Sequence, residues 1–134
     1  MVGKSSHKIR YTLGVISLLQ QFFLLSLIIQ LAHSIEELST GFHKKWYVFK
    51  MPFWSFLTFE LLFSSFWILV LLVPEFPQRV YLQEFFLALM FANGVQHIVW
   101  WGHVKKYVPG LITAPLHILV FLTFYFKVLT LLGS

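Results

Sequence analysis

Four long apolar runs constrain the fold of this chain more than any other feature. They cover about residues 11–35, 52–73, 81–101 and 111–132. Each approaches the roughly 20 residues that a helix needs to cross a bilayer core. Hydrophobic residues make up 58% of the 134 residues and charged residues only 11%, against about 25% in soluble domains. The sequence therefore predicts an all-α integral membrane protein with a single transmembrane domain.

The segments between these runs are short. Residues 36–51, 74–80 and 102–110 join them, so consecutive helices should be antiparallel neighbours in an up-down-up-down four-helix bundle. Pro52 suits a first-turn position, and Pro74 with Pro77 ends the second run. The first run is too long for the core of a secretory signal and lacks a cleavage motif, so it is predicted to be a retained helix.

The basic residues do not determine the orientation in the membrane. Five should lie at each face, with Lys4, Lys8, Arg10, Arg79 and Lys127 opposite Lys44, Lys45, Lys50, Lys105 and Lys106. Divided in this way, the net charge of +5 indicates attraction to anionic lipid head groups rather than to nucleic acid. We expect a multi-pass protein of a bacterial or archaeal plasma membrane that contacts membrane lipids and binds no nucleic acid.

The types of polar residue limit the chemistry. The chain has six His and no Cys, and all five of its acidic residues are Glu. Without Cys there is no disulfide, zinc–thiolate site, iron–sulfur cluster or cysteine nucleophile. Any protein ligands to a metal ion would therefore come chiefly from His and Glu.

Polar side chains in the apolar runs gather in one half of the predicted bundle. An ionisable group at mid-bilayer costs at least about 2.5 kcal/mol, so such residues are candidates for a functional site. The candidates on this side are His33, Glu36, Glu37, Glu60, Asn93, His97, Thr113 and His117. The other half receives Gln20, Gln21 and Glu84, with no His in any run.

The pattern His33-x-x-Glu36-Glu37 is the sharpest motif among them. Residues three and four apart share a helix face, so the imidazole and both carboxylates can face one cleft. We predict that His33, Glu36 and His97 bind a divalent metal, zinc or iron, and that Glu37 is a general base. The alternative is a helix end at which both carboxylates are simply hydrated.

The remaining candidates have supporting roles in this prediction. Asn93 shares a face with His97 and is predicted to orient a ligand or to stabilise an oxyanion. Glu60 and His117 fall near the centres of their runs, so we place them with Thr113 below the metal site or along its cavity. Pro115 is expected to break the fourth helix beside His117.

Three motifs in order resemble the signature of the HXXEE domain family. They are His33-Ser34-Ile35-Glu36-Glu37, Asn93-Gly94-Val95-Gln96-His97, and Tyr107-Val108-Pro109-Gly110 with Thr113. The resemblance extends over about residues 15–130 and implies a small protein with about four spans and an enzymatic role for the polar motif residues. The membrane CAAX-protease group also uses a Glu pair, but it has an Arg after the pair, which residues 38–42 lack.

Three functional hypotheses are compatible with this sequence. The first is a metal-dependent membrane enzyme that acts on an amphiphilic substrate near the bilayer interface, where loop lysines would favour an anionic head group. The second is a proton-coupled small-molecule transporter that uses Glu60. The third is a structural or assembly subunit whose polar cluster only holds its helices together.

Overall fold

The computed structural model describes residues 2–133, apart from the side chains of residues 2–8 and Tyr11. Lys4 and Lys8, which were assigned to one membrane face, have their side chains outside this description. Over the described range the fold is all-helical and has no strand, as the sequence predicts. The helices are α1 (Val2–Thr40), α2 (Phe42–Lys45), α3 (Phe53–Leu72), α4 (Arg79–Val104) and α5 (Ala114–Gly133).

Four of these helices are long and apolar enough to cross a membrane. The candidate segments are Thr12–Thr40 of α1 and the whole of α3, α4 and α5. The shortest have 20 residues, which at about 1.5 Å per residue match a hydrocarbon core of about 30 Å. The sequence-based prediction of four such helices is confirmed.

Helix α1 continues to Thr40, beyond the predicted end near residue 35. Two features stabilise the extension: the side chains of Glu36 and Glu37 have partners on other segments, and Lys45 Nζ donates to the Thr40 carbonyl at 2.8 Å. A cation at a helix C-terminus is favoured by the helix dipole. His33 therefore lies two turns inside a helix rather than at its end.

Gly94 allows α4 to approach α5 closely. A Cβ atom at Gly94 would lie 2.6 Å from the Ala114 carbonyl oxygen, which real Cβ atoms do not tolerate, and 3.3 Å from the His117 Cβ atom, which is a tight contact. Ala114 on the facing helix is fully buried. The small side chains at this crossing allow α4 and α5 to make the most extensive helix contact in the described fold. Small residues have the same effect where helices pack closely in membranes.

Helix α5 begins at Ala114, so Pro115 lies in its first turn. The expected break in the fourth helix at Pro115 is wrong. Residues in the first turn need no intrahelical N–H partner, and Pro is tolerated there. The turn before the helix is closed by Ala114 N–H donating to the Gly110 carbonyl at 3.0 Å. His117 therefore occupies a regular helical position one turn into α5.

Candidate metal centre

His33, Glu37 and His97 meet between α1 and α4. One ligand atom from each residue lies within 4.8 Å of the others. His33 Nε2 is 3.4 Å and His97 Nε2 is 3.1 Å from Glu37 Oε1. All three side chains are buried, both imidazoles completely. Two imidazoles and one carboxylate are the ligands of many catalytic zinc and non-haem iron centres, so this donor set fits a divalent metal ion.

The imidazole of His97 adds a second argument for a metal. Its Nε2 lies 3.1 Å from Glu37 Oε1, yet neither ring nitrogen makes an aligned hydrogen bond among the described residues. Buried polar atoms in native proteins nearly always have partners. Such a short distance without hydrogen-bond alignment is expected when the ligand atoms point at a metal position between them and not at one another.

Thr113 fixes the tautomer of His33. The Thr113 hydroxyl donates to Glu36 Oε2 at 2.7 Å and has a single hydrogen to give. His33 Nδ1, 2.6 Å from the same hydroxyl oxygen, must therefore donate to it. The lone pair of His33 then resides on Nε2, which faces Glu37. Metal-binding histidines commonly have their other nitrogen fixed in this way.

Asn93 contacts His33 from α4 and is itself oriented by neighbours. Its Nδ2 lies 3.1 Å from His33 Nε2, and its Oδ1 accepts from Gln96 Nε2 at 3.4 Å. Gln96 Oε1 in turn accepts from the Trp46 indole N–H at 2.8 Å. This relay directs the Asn93 amide N–H towards the cluster, the orientation that its predicted role requires.

Glu36 occupies a different position from the one predicted for it. Its Oε1 accepts from the Tyr107 hydroxyl at 2.6 Å and from Ile112 N–H at 3.0 Å, and its Oε2 accepts from Thr113 N–H at 3.0 Å and from the Thr113 hydroxyl. These four bonds attach α1 to the loop before α5. Glu37, predicted to be a base, is the carboxylate that joins the histidines.

Tyr107 completes this attachment from the loop. Burial and the hydrogen bond to the Glu36 carboxylate raise the pKa of the Tyr107 hydroxyl above its ordinary value. It therefore remains protonated, and remains a donor, throughout the neutral pH range. The resulting contact stabilises Glu36 as the anchor of residues 107–113.

Gly110 lies directly against the two ligand imidazoles. A Cβ atom there would be 2.6 Å from the Cε1 atoms of both His33 and His97. The residue also has a φ of +85°, which L-residues with a side chain rarely adopt. The backbone of this loop thus closes one side of the cluster, and only glycine satisfies both conditions.

His117 and Glu60 adjoin the cluster but are not part of it. The His117 ring is fully buried, with its centroid 5.3 Å from that of His33 and both nitrogens without a partner in the described structure. Glu60 on α3 is buried and accepts a short hydrogen bond from the Ser34 hydroxyl. Thr113, the third residue placed below the site or along its cavity, directly contacts the His33 ring instead.

A cavity of about 400 Å³ extends from the cluster. Its polar lining residues are Glu37, Glu60, Gln30, Asn93 and Gln96. Six aromatic side chains form most of the rest: Phe42, Trp46, Phe49, Phe56, Phe59 and Phe63. The volume falls in the range of about 300–1,000 Å³ that is typical of small-molecule sites. A ligand in this cavity would contact Glu37 directly.

The sequence-based reasoning missed several contributors to the site. Gln30 was not identified, although a spacing of four residues places it on one face of α1 with Ser34. Ser34, Gln96 and Gly110 were noted only as parts of motifs. The spacing of three between Asn93 and Gln96 was a local signal, but the contacts of Gly110 with the imidazoles and of Gln96 with Trp46 join segments distant in sequence.

Replacing Thr113 by Val tests the connection between Glu36 and His33. The variant leaves His33 Nδ1–H buried without an acceptor, at a cost of about 1–3 kcal/mol, and we expect zinc affinity to fall about 10- to 100-fold. The measurement is competition for zinc against a chromophoric chelator. Thr130→Val is the matched control, because Thr130 is exposed on α5 and its hydroxyl donates to the Phe126 carbonyl of the same helix. Equal zinc affinities in the two variants would contradict the role of Thr113 in orienting His33.

A model of a known protein family matches most of the chain. Residues 24–125 match a family model described as a protein of unknown function with an HXXEE motif. No curated protein and no solved structure matches the chain. The matched range contains His33, Glu36, Glu37, Asn93, His97 and Gly110, the residues that form the cluster and its surroundings. The chain therefore belongs to the HXXEE family.

Proposed function

We propose that this chain is a metal-dependent integral-membrane enzyme, hydrolase-like or of the non-haem iron type, that acts on an amphiphilic substrate. The observation that carries the proposal is the convergence of His33, Glu37 and His97, with Glu37 also lining an apolar cavity. Structural metal sites are usually closed by four protein ligands, whereas catalytic sites have three and an open position. A three-ligand set of which one member lines a cavity favours catalysis.

The proposal includes four membrane spans in up-down-up-down order. Large apolar side chains are exposed on each long helix, including Ile28, Leu62, Val99 and Leu119, each with at least half of its surface accessible. Such a surface is stable in hydrocarbon but not in water. His33 and Glu37 lie in the last third of α1, so the cluster would be close to one membrane interface.

The protein residues have separable roles in the proposed reaction. A bound zinc or iron ion would act as a Lewis acid towards a polar group of the substrate. His33, Glu37 and His97 would hold the ion, with His33 oriented by Thr113. Once His33 Nε2 is a ligand, the Asn93 amide N–H is free to donate to a substrate oxygen in the cavity that Asn93 lines. The aromatic lining would exclude water and hold the apolar part of the substrate.

The proposal is tested by metal content and lipid turnover of the detergent-purified protein. We expect about one equivalent of zinc or iron per chain after loading and dialysis, with X-ray absorption showing two imidazole ligands. Incubation with a total lipid extract should consume at least one amphiphile, as detected by mass spectrometry. Asn93→Ala should retain the metal and lose about 100-fold in turnover. Less than about 0.2 equivalents of metal in loaded wild type would contradict the proposal.

A further inference from the structure

Two of the polar side chains that line the cavity are carboxylates, those of Glu37 and Glu60. Asn93 and Gln96 also line it, and their amide N–H groups are directed at His33 Nε2 and Asn93 Oδ1. No Lys, Arg or His is found among the described residues that line the cavity. The exposed loop lysines that suggested an anionic head group lie outside it. A ligand that carries a positive charge or donates hydrogen bonds would complement this lining, and an anion would be repelled.

A chain of hydrogen bonds between α1 and α3 orients the Gln30 amide and the Glu60 carboxylate. Gln30 Nε2 donates to Ser34 Oγ at 3.2 Å, and Ser34 Oγ donates to Glu60 Oε2. Each donor in the chain is therefore used to orient the next group. Gln30 is 3% exposed, and its Oε1 has no partner among the described residues.

Unpaired acceptors in an apolar cavity are costly. A carboxylate removed from water without a counter-charge is strongly destabilised, and a buried carbonyl without a donor is also unfavourable. An ammonium group supplies N–H donors and a positive charge, so it complements the Glu60 carboxylate, which Gln30 orients through Ser34. The aromatic side chains Phe56, Phe59 and Phe63 offer the adjoining apolar surface.

We infer that the cavity binds a linear amphiphile whose polar end is an ammonium group held by Glu60. This inference rests on the proposed function, because the same ligand would present its reacting part to Glu37, which lines the same cavity. Glu60 is then a residue that determines substrate specificity, and the substrate class is a long-chain amine.

The experiment uses the full chain in neutral phosphatidylcholine nanodiscs, labelled with a diazirine derivative of dodecylamine. Unlabelled dodecylamine, 1-dodecanol and dodecanoate compete, and label incorporation is measured by mass spectrometry of the intact chain and its peptides. We expect dodecylamine to compete at least about 10-fold better than dodecanoate, with the alcohol between them, because charge-assisted hydrogen bonds contribute that much to affinity. Equal competition by amine and carboxylate in the wild type overturns the inference without any variant.

Two variants and a control test whether Glu60 is the residue that gives the preference for the amine. Glu60→Gln should weaken dodecylamine competition at least about 10-fold, and Gln30→Met should weaken it less. Glu84→Gln is the control, because Glu84 is an exposed carboxylate on α4 outside the cavity lining. Loss of amine preference in all three variants, or in none, contradicts the assignment to Glu60.

Metal loading separates this inference from the proposed function. The competition is repeated with metal-free and zinc-loaded protein, and zinc stoichiometry is measured in parallel. Stoichiometric zinc without amine preference overturns the ligand assignment and leaves the metal site standing. Amine preference in protein that binds no zinc supports the ligand assignment and contradicts the proposed enzyme.

Discussion

A His97→Ala variant is expected to bind zinc at least about 100-fold more weakly than the wild type. Residues that only orient metal ligands contribute about 10- to 100-fold to affinity, and removal of a ligand should cost more. His97 supplies one of the three atoms that lie within 4.8 Å of one another, and neither of its nitrogens has another hydrogen-bond partner in the described structure. The alanine variant leaves only His33 and Glu37 at the site.

The measurement is equilibrium competition against a chromophoric zinc chelator, with metal content checked by mass spectrometry. His103→Ala is the matched control, because His103 is an exposed imidazole on the same helix. If the two variants bind zinc equally well, the cluster does not bind metal. A large loss of thermal stability in His97→Ala, in protein that binds no metal before or after the change, would instead favour a purely structural role for the cluster.

A Gly110→Ala variant is expected to be strongly destabilising. The positive φ of residue 110 costs a residue with a side chain about 1–2 kcal/mol. The added methyl would also overlap His33 and His97, and overpacking of this kind typically costs about 1–3 kcal/mol. The loop must move away from the imidazoles, so zinc affinity should fall together with stability.

Thermal unfolding followed by tryptophan fluorescence measures this effect, since Trp46 and Trp100 flank the site. We expect a decrease in melting temperature of at least about 8 °C. Gly102→Ala is the control: its Cβ meets nothing within 4 Å, and Ala in a helix is favoured over Gly by up to about 1 kcal/mol. Opposite signs for the two substitutions are therefore expected. A Gly110→Ala variant as stable as the wild type would show that the loop does not close over the histidines.

Five of the eight polar candidates are buried, as their place in apolar runs predicts: His33, Glu37, Glu60, His97 and His117 are at least 95% buried, whereas Glu36, Asn93 and Thr113 are partly exposed. The physical reason is that a charge is costly at an apolar helix surface that would face lipid, so an ionisable residue deep in such a helix favours the protein interior. Glu84, in the second turn of α4, is exposed. The grouping of the candidates in one half of the fold followed from short connections between consecutive helices.

The different roles of Glu36 and Glu37 were not predictable. Adjacent residues on a helix point about 100° apart, so only one of the pair can face His33 and His97. The choice depends on where the loop before α5 lies, because that loop offers Glu36 four hydrogen-bond donors. Nothing in the spacing of the motif distinguishes these two outcomes.

The hydrogen-bond partner of Glu60 and its position relative to Glu37 could be identified only from the tertiary structure. On its own helix Glu60 has no charged neighbour at three or four residues, so the sequence indicates an interior residue without identifying its partner. The structure gives that partner as Ser34 and shows that Glu60 shares a cavity with Glu37. Both facts depend on how α3 is rotated and displaced against α1.

The sequence by itself determined that this chain is helical, that four helices can cross a membrane, and which polar residues avoid its apolar surface. These properties depend on composition and on periodicity within single helices. The tertiary structure decided that Glu37 rather than Glu36 joins the histidines, that Gly110 closes over them, and that Glu60 faces the same cavity. These properties depend on contacts between segments up to 77 residues apart, and local spacing cannot encode the relative rotation of packed helices.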